Sequence, residues 1–315
     1  MLRFLLRKLP SVLLVLLVSS FIAFLLPRLA PGDPAVTLAG SEATEQQVAA
    51  IRTQMGLDQP LSIQYLDWIS GAVRGDLGKS YILQRPVSEL IASRFESTLE
   101  LAAAAAILMI LIGLGLGVAA GSPRSRWSRT VLDVTNTLAL AVPPFLTGLI
   151  LILLLGIVFQ ILPISGEVSL SENLIEGLEY LVLPALALAL PQAAVLARLV
   201  QTAMLAARGE EYVDLAVAKG VPAATITRKY VLRNSLGTAV VAIGLRIGEL
   251  LGGAIVIESI FARNGLGQLA VTSVSSRDYL VLQALILGAV LIAALISLLT
   301  EVMLAALDPR IRLQE

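Results

Sequence analysis

The sequence predicts an all-α membrane protein with six transmembrane helices, both termini in the cytoplasm, and an extracytoplasmic soluble insertion between helices 1 and 2. Three observations carry that expectation. Mean hydropathy is +0.86, with 57% hydrophobic and 15% charged residues over 315 positions, too apolar for a soluble chain of this size. The apolar residues gather in runs long enough to cross a hydrocarbon core. Lys and Arg divide unevenly among the connections. Thirteen fall in the four segments on the side of the termini and seven on the other, five of those in one long segment, while Arg28, Arg198 and Arg246 lie at or within the runs. Short cationic loops stay in the cytoplasm, which fixes the orientation.

Net charge is zero, which gives no argument for nucleic acid. Cysteine and histidine are both absent, so disulfides, thiolate or imidazole metal sites, and Cys or His nucleophiles and bases are excluded. No carboxylates have the spacing of a metal loop.

The first run, Leu9–Leu26, follows Arg3, Arg7 and Lys8. A cleaved signal peptide would show a shorter apolar core and a small-x-small site. Here the run has spanning length and is followed by Pro27-Arg28-Leu29, which reads as a retained first helix. Residues 29–97 form the insertion, with eight acidic and five basic residues from Ala30 to Ser97. Helices are expected over Glu42–Met55, stopped by Gly56, and over Ser62–Val73, with Tyr65, Trp68 and Ile69 as its apolar face. Within it, Gly75-Asp-Leu-Gly-Lys-Ser80 has the look of a phosphate loop. The position that needs the first glycine is Val73, and no strand precedes it, so that reading is rejected.

The membrane core is expected over 98–307. Thr98–Ala120 is a helix rich in Ala and Gly (Gly113, Gly115, Gly117), which favours close helix packing. The loop Gly121–Arg129 carries three Arg and no acid. Val131–Gln160 is broken by Pro143-Pro144, because proline removes a donor and kinks a helix. Asp133, Asn136 and Thr137 lie at its cytoplasmic end. Leu162–Gly177, with three Glu and no base, lies outside. Leu178–Val200 is the fourth helix, punctuated by Pro184 and Pro191. Leu236–Ile257 is the fifth and carries Arg246 and Glu249, three apart and so on one face. Two readings stay open for this pair: a place near a transport path, or a structural ion pair. Glu258–Asp278 is an outer loop with a helix-like piece at Ser259-Ile-Phe-Ala262. Leu280–Leu307 is the sixth helix, and 308–315 is a cytoplasmic tail.

The stretch Glu210–Asn234, within a polar connection spanning 208–235, is the longest polar interruption of the C-terminal two-thirds. A helical pattern stops at Gly220 and another starts at Pro222, as glycine stops and first-turn prolines do. The expected order is helix, tight bend, short helix, helix. A folded, charged corner of this kind suits a surface that a partner grips and that can pass a push into the membrane helices.

Asp214-Leu-Ala216-Val-Ala-Lys-Gly220, with Leu232 twelve residues after the glycine, resembles the cytoplasmic coupling loop of binding-protein-dependent ABC importers. Asp214 stands where that signature has Glu, Leu215 for its first Ala, Tyr230 for Ile and Arg233 for Pro. Glu211–Gly220 and Leu232-Arg-Asn-Ser-Leu236 are similar to the version in dipeptide/oligopeptide permeases. Leu29-Ala-Pro-Gly-Asp-Pro-Ala35, Gly75–Ser80, Pro86-Val87 with Thr98-Leu-Glu-Leu101, Gly265-Leu-Gly267, Arg277-Asp-Tyr279 and Leu307-Asp-Pro-Arg310 fit the B-type subunit of that family. Together they cover nearly the whole chain.

The resemblance implies an inner-membrane permease subunit of an ATP-driven importer, with no catalytic residues. ATP and Mg would be bound by partner ATPase subunits, and the chain itself would hold no cofactor or metal. The implied partners are a homologous C-type permease, two ABC ATPase subunits, an extracytoplasmic solute-binding protein and membrane lipid. ATPase docking would involve Asp214, Ala216, Lys219, Gly220, Val221, Pro222, Ile226, Arg228 and Tyr230, with Ile226 and Tyr230 as apolar contacts and Arg228, Lys229 and Arg233 as rim charges. Asn136, Pro143, Arg246 and Glu249 are the candidate translocation-path residues. Di- and oligopeptides are the default cargo, beside glutathione, metal chelates and sugars. The alternative from the residues alone is an ion-coupled secondary transporter using Arg246 and Glu249 without ATPase partners. A third reading is a scaffold with no solute flux.

Overall fold

The computed structural model describes residues 2–29, 32–40, 42–122 and 126–307. The expected tail 308–315 and Arg124 of the basic loop lie outside them. All regular elements among the described residues are helical, with one isolated bridge pairing Lys79 and Pro86. In order they are α1 (Leu2–Leu29), α2 (Pro34–Ala39), α3 (Glu45–Gln54), α4 (Leu61–Val73), α5 (Val87–Gly121), α6 (Arg126–Ala141), α7 (Pro144–Leu151), α8 (Leu174–Arg208), α9 (Glu211–Ala218), α10 (Ala223–Thr225), α11 (Arg233–Ile260), α12 (Leu266–Ser276) and α13 (Tyr279–Leu307). Ile152–Val158 and Ile226–Leu232 are π-helical.

The chain is an all-α multi-span membrane protein. Among the described residues, Val87–Gly121, Leu174–Arg208, Ala223–Ile260 and Tyr279–Val302 are long and apolar enough to cross a membrane. Thr130–Ala141 and Pro144–Val158 make a fifth crossing if the pair, bent by 104°, is one span. The apolar helix Pro10–Leu26 is shorter. At about 1.5 Å per residue it is ~25 Å long, just under the ~30 Å of a typical core. The expected count of six therefore meets four helices, or five with the bent pair.

Among the described residues, those within 2–98 and 264–294 make one compact unit, and those within 99–263 and 295–307 make a second. In the first, α4 lies on α1 through an aromatic cluster. Tyr65 meets Phe21 and Phe24 edge-on at 5.6 and 5.3 Å, and its hydroxyl lies 2.8 Å from Ser20 Oγ. Trp68 is buried beside Phe24. Asp33 caps α2 by accepting from Ala35 N, and Thr44 and Gln47 form a capping box that starts α3 at Glu45 rather than at Glu42. The Gly75–Ser80 stretch follows a helix, and Asp76 accepts from Gly78 N in a local turn. Ser80 gives its hydroxyl to Asp278, which also accepts from Tyr81 N and Ile82 N at 3.4 Å. Tyr279 donates to the Gly32 carbonyl at 3.2 Å, and Leu266 N donates to Thr98 Oγ1 at 2.8 Å. Val87, Leu90, Leu269, Val281 and Ala284 make the apolar core here.

The second unit is built around α8. Its buried face runs from Leu181 through Leu188 and Leu196 to Met204. Pro184 and Pro191 are buried within a continuous helix of 35 residues, longer than the expected Leu178–Val200. A proline removes one backbone bond, and packed neighbours keep the helix going through it. Gly113, Gly117 and Gly121 of α5 face Leu196, Val200 and Met204 of α8. Four-residue spacing puts them on one stripe.

Other boundaries also differ from expectation. α5 begins at Val87, so eleven residues assigned to the insertion are its first turns. The outer-loop helix is Leu266–Ser276, whereas Ser259 and Ile260 end α11 and Ala262 takes a positive φ of 52°. Pro143-Pro144 breaks its helix as expected.

Candidate functional site

The corner between α8 and α11 forms from three local instructions. Acidic Glu211 and Asp214 occupy the first turn of α9, where the helix dipole favours negative charge. At its end, Gly220 takes φ +73°, Gly220 N donates to Val217 O at 2.9 Å, and Val221 N donates to Ala216 O at 3.1 Å. This is a Schellman stop, and it needs a residue at ease in the left-handed region. A Cβ built on Gly220 meets nothing within 4 Å, so the backbone angle and not space demands glycine. Pro222 then opens the next helix, with Ile226 N donating to its carbonyl at 3.0 Å.

Beyond Pro222 the chain is helical without a break from Ala223 to Ile260. The expected short helix and fifth span are therefore one element, with a π-helical segment at Ile226–Leu232. Bonding from i to i+5 widens the turn and brings residues five apart closer to one face than an α-helix does, and Ile226 and Val231 are both buried.

Side chains that the sequence reading left aside tie the corner down. Arg208 donates through Nε to the Gly121 carbonyl at 3.0 Å and through Nη2 to Thr227 Oγ1 at 2.8 Å. Asn234 Nδ2 donates to Tyr212 Oη at 3.0 Å and to the Tyr230 carbonyl at 2.7 Å. Tyr212 donates to the Ala207 carbonyl at 3.4 Å. Two sets of polar bonds thus tie the ends of α5, α8, α9 and α11 together, and Val213, Ala216, Ile226 and Val231 of the corner are all buried.

This burial revises the expected docking contacts. Ile226, 5% exposed, and Ala216, 5% exposed, face the interior, and Tyr230 packs partly against it. The outward apolar side chains are instead Leu215, 56% exposed, and Val217, 59% exposed. Asp214, Lys219, Gly220, Pro222 and Arg228 are exposed, and Val221 is half-buried. Leu215 was legible as the departure from Ala in the loop signature. Its outward direction needed the register of α9.

The candidate path residues lie on different helices. Arg246 Nη1 meets Glu249 at 2.5 Å and Gln192 Oε1 of α8 at 3.4 Å. Arg246 Nε is buried without a partner, as is Asn136 Oδ1 of α6. Pro143 caps α7 at the 104° break. None of the hydrogen bonds or ion pairs among the described residues joins Asn136 to Arg246 or Glu249. Asp133 accepts from Gln201 Nε2 of α8 at 2.9 Å. An open cleft of ≈ 510 Å³ runs along α11, between Asn234, Thr238 and Leu245 and Leu199 of α8. No group of three or more His, Cys, Asp or Glu among the described residues could hold a metal ion.

A second cluster stands at the far end of α11. Arg263, 1% exposed at its side chain, lies 3.5 Å from both Glu100 and Glu167. Glu100 also accepts from Leu170 N at 2.8 Å and from Ser169 Oγ at 3.2 Å. The triad pins the segment before α8 to α5.

Residues 112–313 match the family described as binding-protein-dependent transport system inner membrane component, and residues 1–102 match the N-terminal region of such membrane components. The chain is 38% identical over 312 residues to the glutathione transport system permease protein GsiC of Salmonella typhimurium (strain LT2), and 37% identical to that of Escherichia coli (strain K12), covering 99% of each chain. Among solved structures, an inward-facing form of the MetNI methionine ABC transporter is similar in fold, with a TM-score of 0.59 at 18% identity over 70% of this chain and 96% of that one.

Proposed function

Because the chain belongs to the family of binding-protein-dependent transport system inner membrane components, an ABC-transporter permease subunit with a transport and not an enzymatic role, we propose that it is the B-type half of a peptide importer. In this reading it forms half of the translocation path for di- or oligopeptides or glutathione-like small solutes, and a homologous C-type permease forms the other half. A solute-binding protein delivers cargo to the outer face. Two ATPase subunits, which hold ATP and Mg, dock from the cytoplasm. The chain crosses the inner or plasma membrane six times with both termini inside, counting Pro10–Leu26 and the bent pair as spans. Residues 29–97 face outward. Asn136, Pro143, Arg246 and Glu249 border the path. Arg246, paired along its own helix and bonded to Gln192, suits a clamp between α8 and α11 better than a mobile proton relay. The family leaves the ion-coupled secondary carrier without support.

The observation that carries the coupling part is the corner itself. A Schellman stop at Gly220 and the Arg208–Thr227 and Asn234–Tyr212 bonds make it a rigid body continuous with α11. Leu215 and Val217 stand out from it into solvent. They flank the buried side of α9, marked by Val213 and Ala216, and leave apolar surface on both sides of it for a partner to cover. A displacement of the corner is transmitted along the unbroken helix Ala223–Ile260 as a rigid-body movement.

The test is a pull-down of the tagged chain from membranes containing its neighbouring subunits. Leu215→Asp with Val217→Asp is expected to abolish ATPase recovery while leaving the C-type permease bound. Gly220→Val, strained at φ +73°, weakens ATPase recovery, whereas Gly220→Asn retains it. Full ATPase association and transport in the Leu215/Val217 variant would refute the docking assignment.

A further inference from the structure

Thr225, Arg228, Lys229, Leu232, Arg233 and Leu236 line an open groove on the side of the corner helix away from its buried residues. Three features set it apart from an ordinary solvated face. The cations are crowded without compensation: no Asp or Glu occurs from Leu215 to Gly248, and among the described residues none of the three takes part in an ion pair. The crowding is also built by the backbone. In an α-helix, residues five apart diverge by about 140° around the axis. The π-helical segment Ile226–Leu232 brings Arg228 and Arg233 towards one face. Finally, the floor is apolar and leads into the span. Leu236 is 42% exposed and lies in the same unbroken helix that crosses the bilayer. From Arg228 to Leu236 is about 12 Å along an α-helical axis, and the polar interfacial layer of a bilayer is ~5–8 Å deep per leaflet. Taking Leu236 as the start of the acyl chains puts Arg233, about 4.5 Å further out, within that layer, and Arg228 and Lys229, about 10–12 Å out, reach back to it through their long side chains.

We propose that this groove is a binding site for the phosphate of an anionic phospholipid, held by Arg228, Lys229 and Arg233, with the acyl chain along Leu232 and Leu236. Arg228 then faces lipid, and the ATPase contact is confined to α9 and the bend. An acidic protein surface would satisfy the cations but not the apolar floor that continues into the span. The site would tie the coupling corner to the membrane surface on the side opposite its core. The proposal rests on Ala223–Ile260 being a span. It does not depend on which side the corner faces or on ATPase coupling.

The full chain is placed in nanodiscs of phosphatidylcholine with a minor share of phosphatidylglycerol, then released for native mass spectrometry. Wild type is expected to retain phosphatidylglycerol in preference to phosphatidylcholine. Each basic residue near an anionic surface contributes about a factor of five, so Arg228→Gln with Lys229→Gln and Arg233→Gln lowers that preference about a hundredfold. Arg228→Lys with Arg233→Lys keeps most of it, and a control lacking three cations of the other unit (Arg74, Lys79 and Arg85, each to Gln) retains the wild-type preference. Because nanodiscs expose both leaflets, a reversed topology leaves this result unchanged, so the two failures are separable. Unchanged phosphatidylglycerol retention in the triple variant overturns the proposal. In a parallel pull-down from membranes holding the neighbouring subunits, a triple variant that keeps the lipid and loses the ATPase subunits does so too, because it would assign the cations to a protein partner.

Discussion

The glycine stripe of α5 offers the cleanest quantitative test of how the second unit is held together. A Cβ at Gly117 would lie 2.7 Å from Val200 Cβ and 2.8 Å from the Ala197 carbonyl oxygen. Optimal carbon–carbon separation is about 3.5–4.0 Å, so α5 and α8 would have to part by ~0.8 Å or more. Because one obstacle is backbone, a change of rotamer cannot absorb it. Forcing a methyl group into a packed interior typically costs ~1–3 kcal/mol. Gly115 provides the internal control, since a Cβ there meets nothing within 4 Å. Both substitutions gain the same ~1 kcal/mol of helix propensity, so it cancels between them. Gly117→Ala should therefore be less stable than Gly115→Ala by ~1–3 kcal/mol. At about 2–4 °C per kcal/mol, that is a gap of several degrees in the unfolding temperature of the purified, solubilised chain, scanned at one fixed rate. Equal midpoints would refute the view that backbone approach at Gly117 holds α5 to α8.

Two further perturbations address other parts of the molecule. Arg263→Gln removes the buried cation from between Glu100 and Glu167, whose side chains are 12% and 23% exposed, so the ~3–5 kcal/mol cost of breaking a fully buried pair is an upper bound. Glu167→Gln keeps the cation and one carboxylate and costs less. Thermal unfolding gives the ranking, and faster amide exchange over residues 162–173 in Arg263→Gln would localise the damage. In the insertion, burial alone would raise the Asp33 pKa, but hydrogen bonds from Arg52 and Ala35 N outweigh it and hold the carboxyl below its usual range. A lowered folded pKa means that the contribution of Asp33 is complete above the unfolded value of about 3.9 and is lost as pH falls through the folded one. The protection of the α2 amides, corrected for the pH dependence of intrinsic exchange, should therefore fall below about pH 4 in wild type, and Asp33→Asn should remove that acid limb.

Much of the local structure was legible because single residue types dictate it. Pro143-Pro144 breaks its helix, Gly220 stops α9 and Pro222 opens the next helix, each through a backbone constraint that needs no partner. The misread boundaries share a different cause. Val87–Ser97 alternates polar and apolar residues and looks extramembranous, yet it is the first part of α5 because Val87 and Leu90 bury against Leu269 and Val281, nearly two hundred positions away. The helix Leu266–Ser276 was hidden because its start has no side-chain cap. Hydropathy alone saw Ser259–Ala262 instead, where α11 was ending.

The same distinction separates the visible and invisible parts of the candidate site. Short motifs far apart in the chain turn out to satisfy one another. Ser80 gives its hydroxyl to Asp278, Thr98 receives Leu266 N, and Gly32 receives the Tyr279 hydroxyl. Each half is an unremarkable dipeptide or tripeptide in the sequence, and its meaning is the partner. The corner behaves likewise. Ile226 has the composition of a docking residue, and only the burial of its face reassigns it to the interior and leaves Leu215 and Val217 outside. Periodicity would have brought that out had the segment been an ordinary α-helix. The π-helical turns lengthen the period beyond the ~3.6 of an α-helix, so a helical wheel drawn through Ile226–Leu232 points its residues the wrong way. The feature that hid the buried face from the sequence is thus the one that gathers Arg228 and Arg233 into a groove on the opposite side.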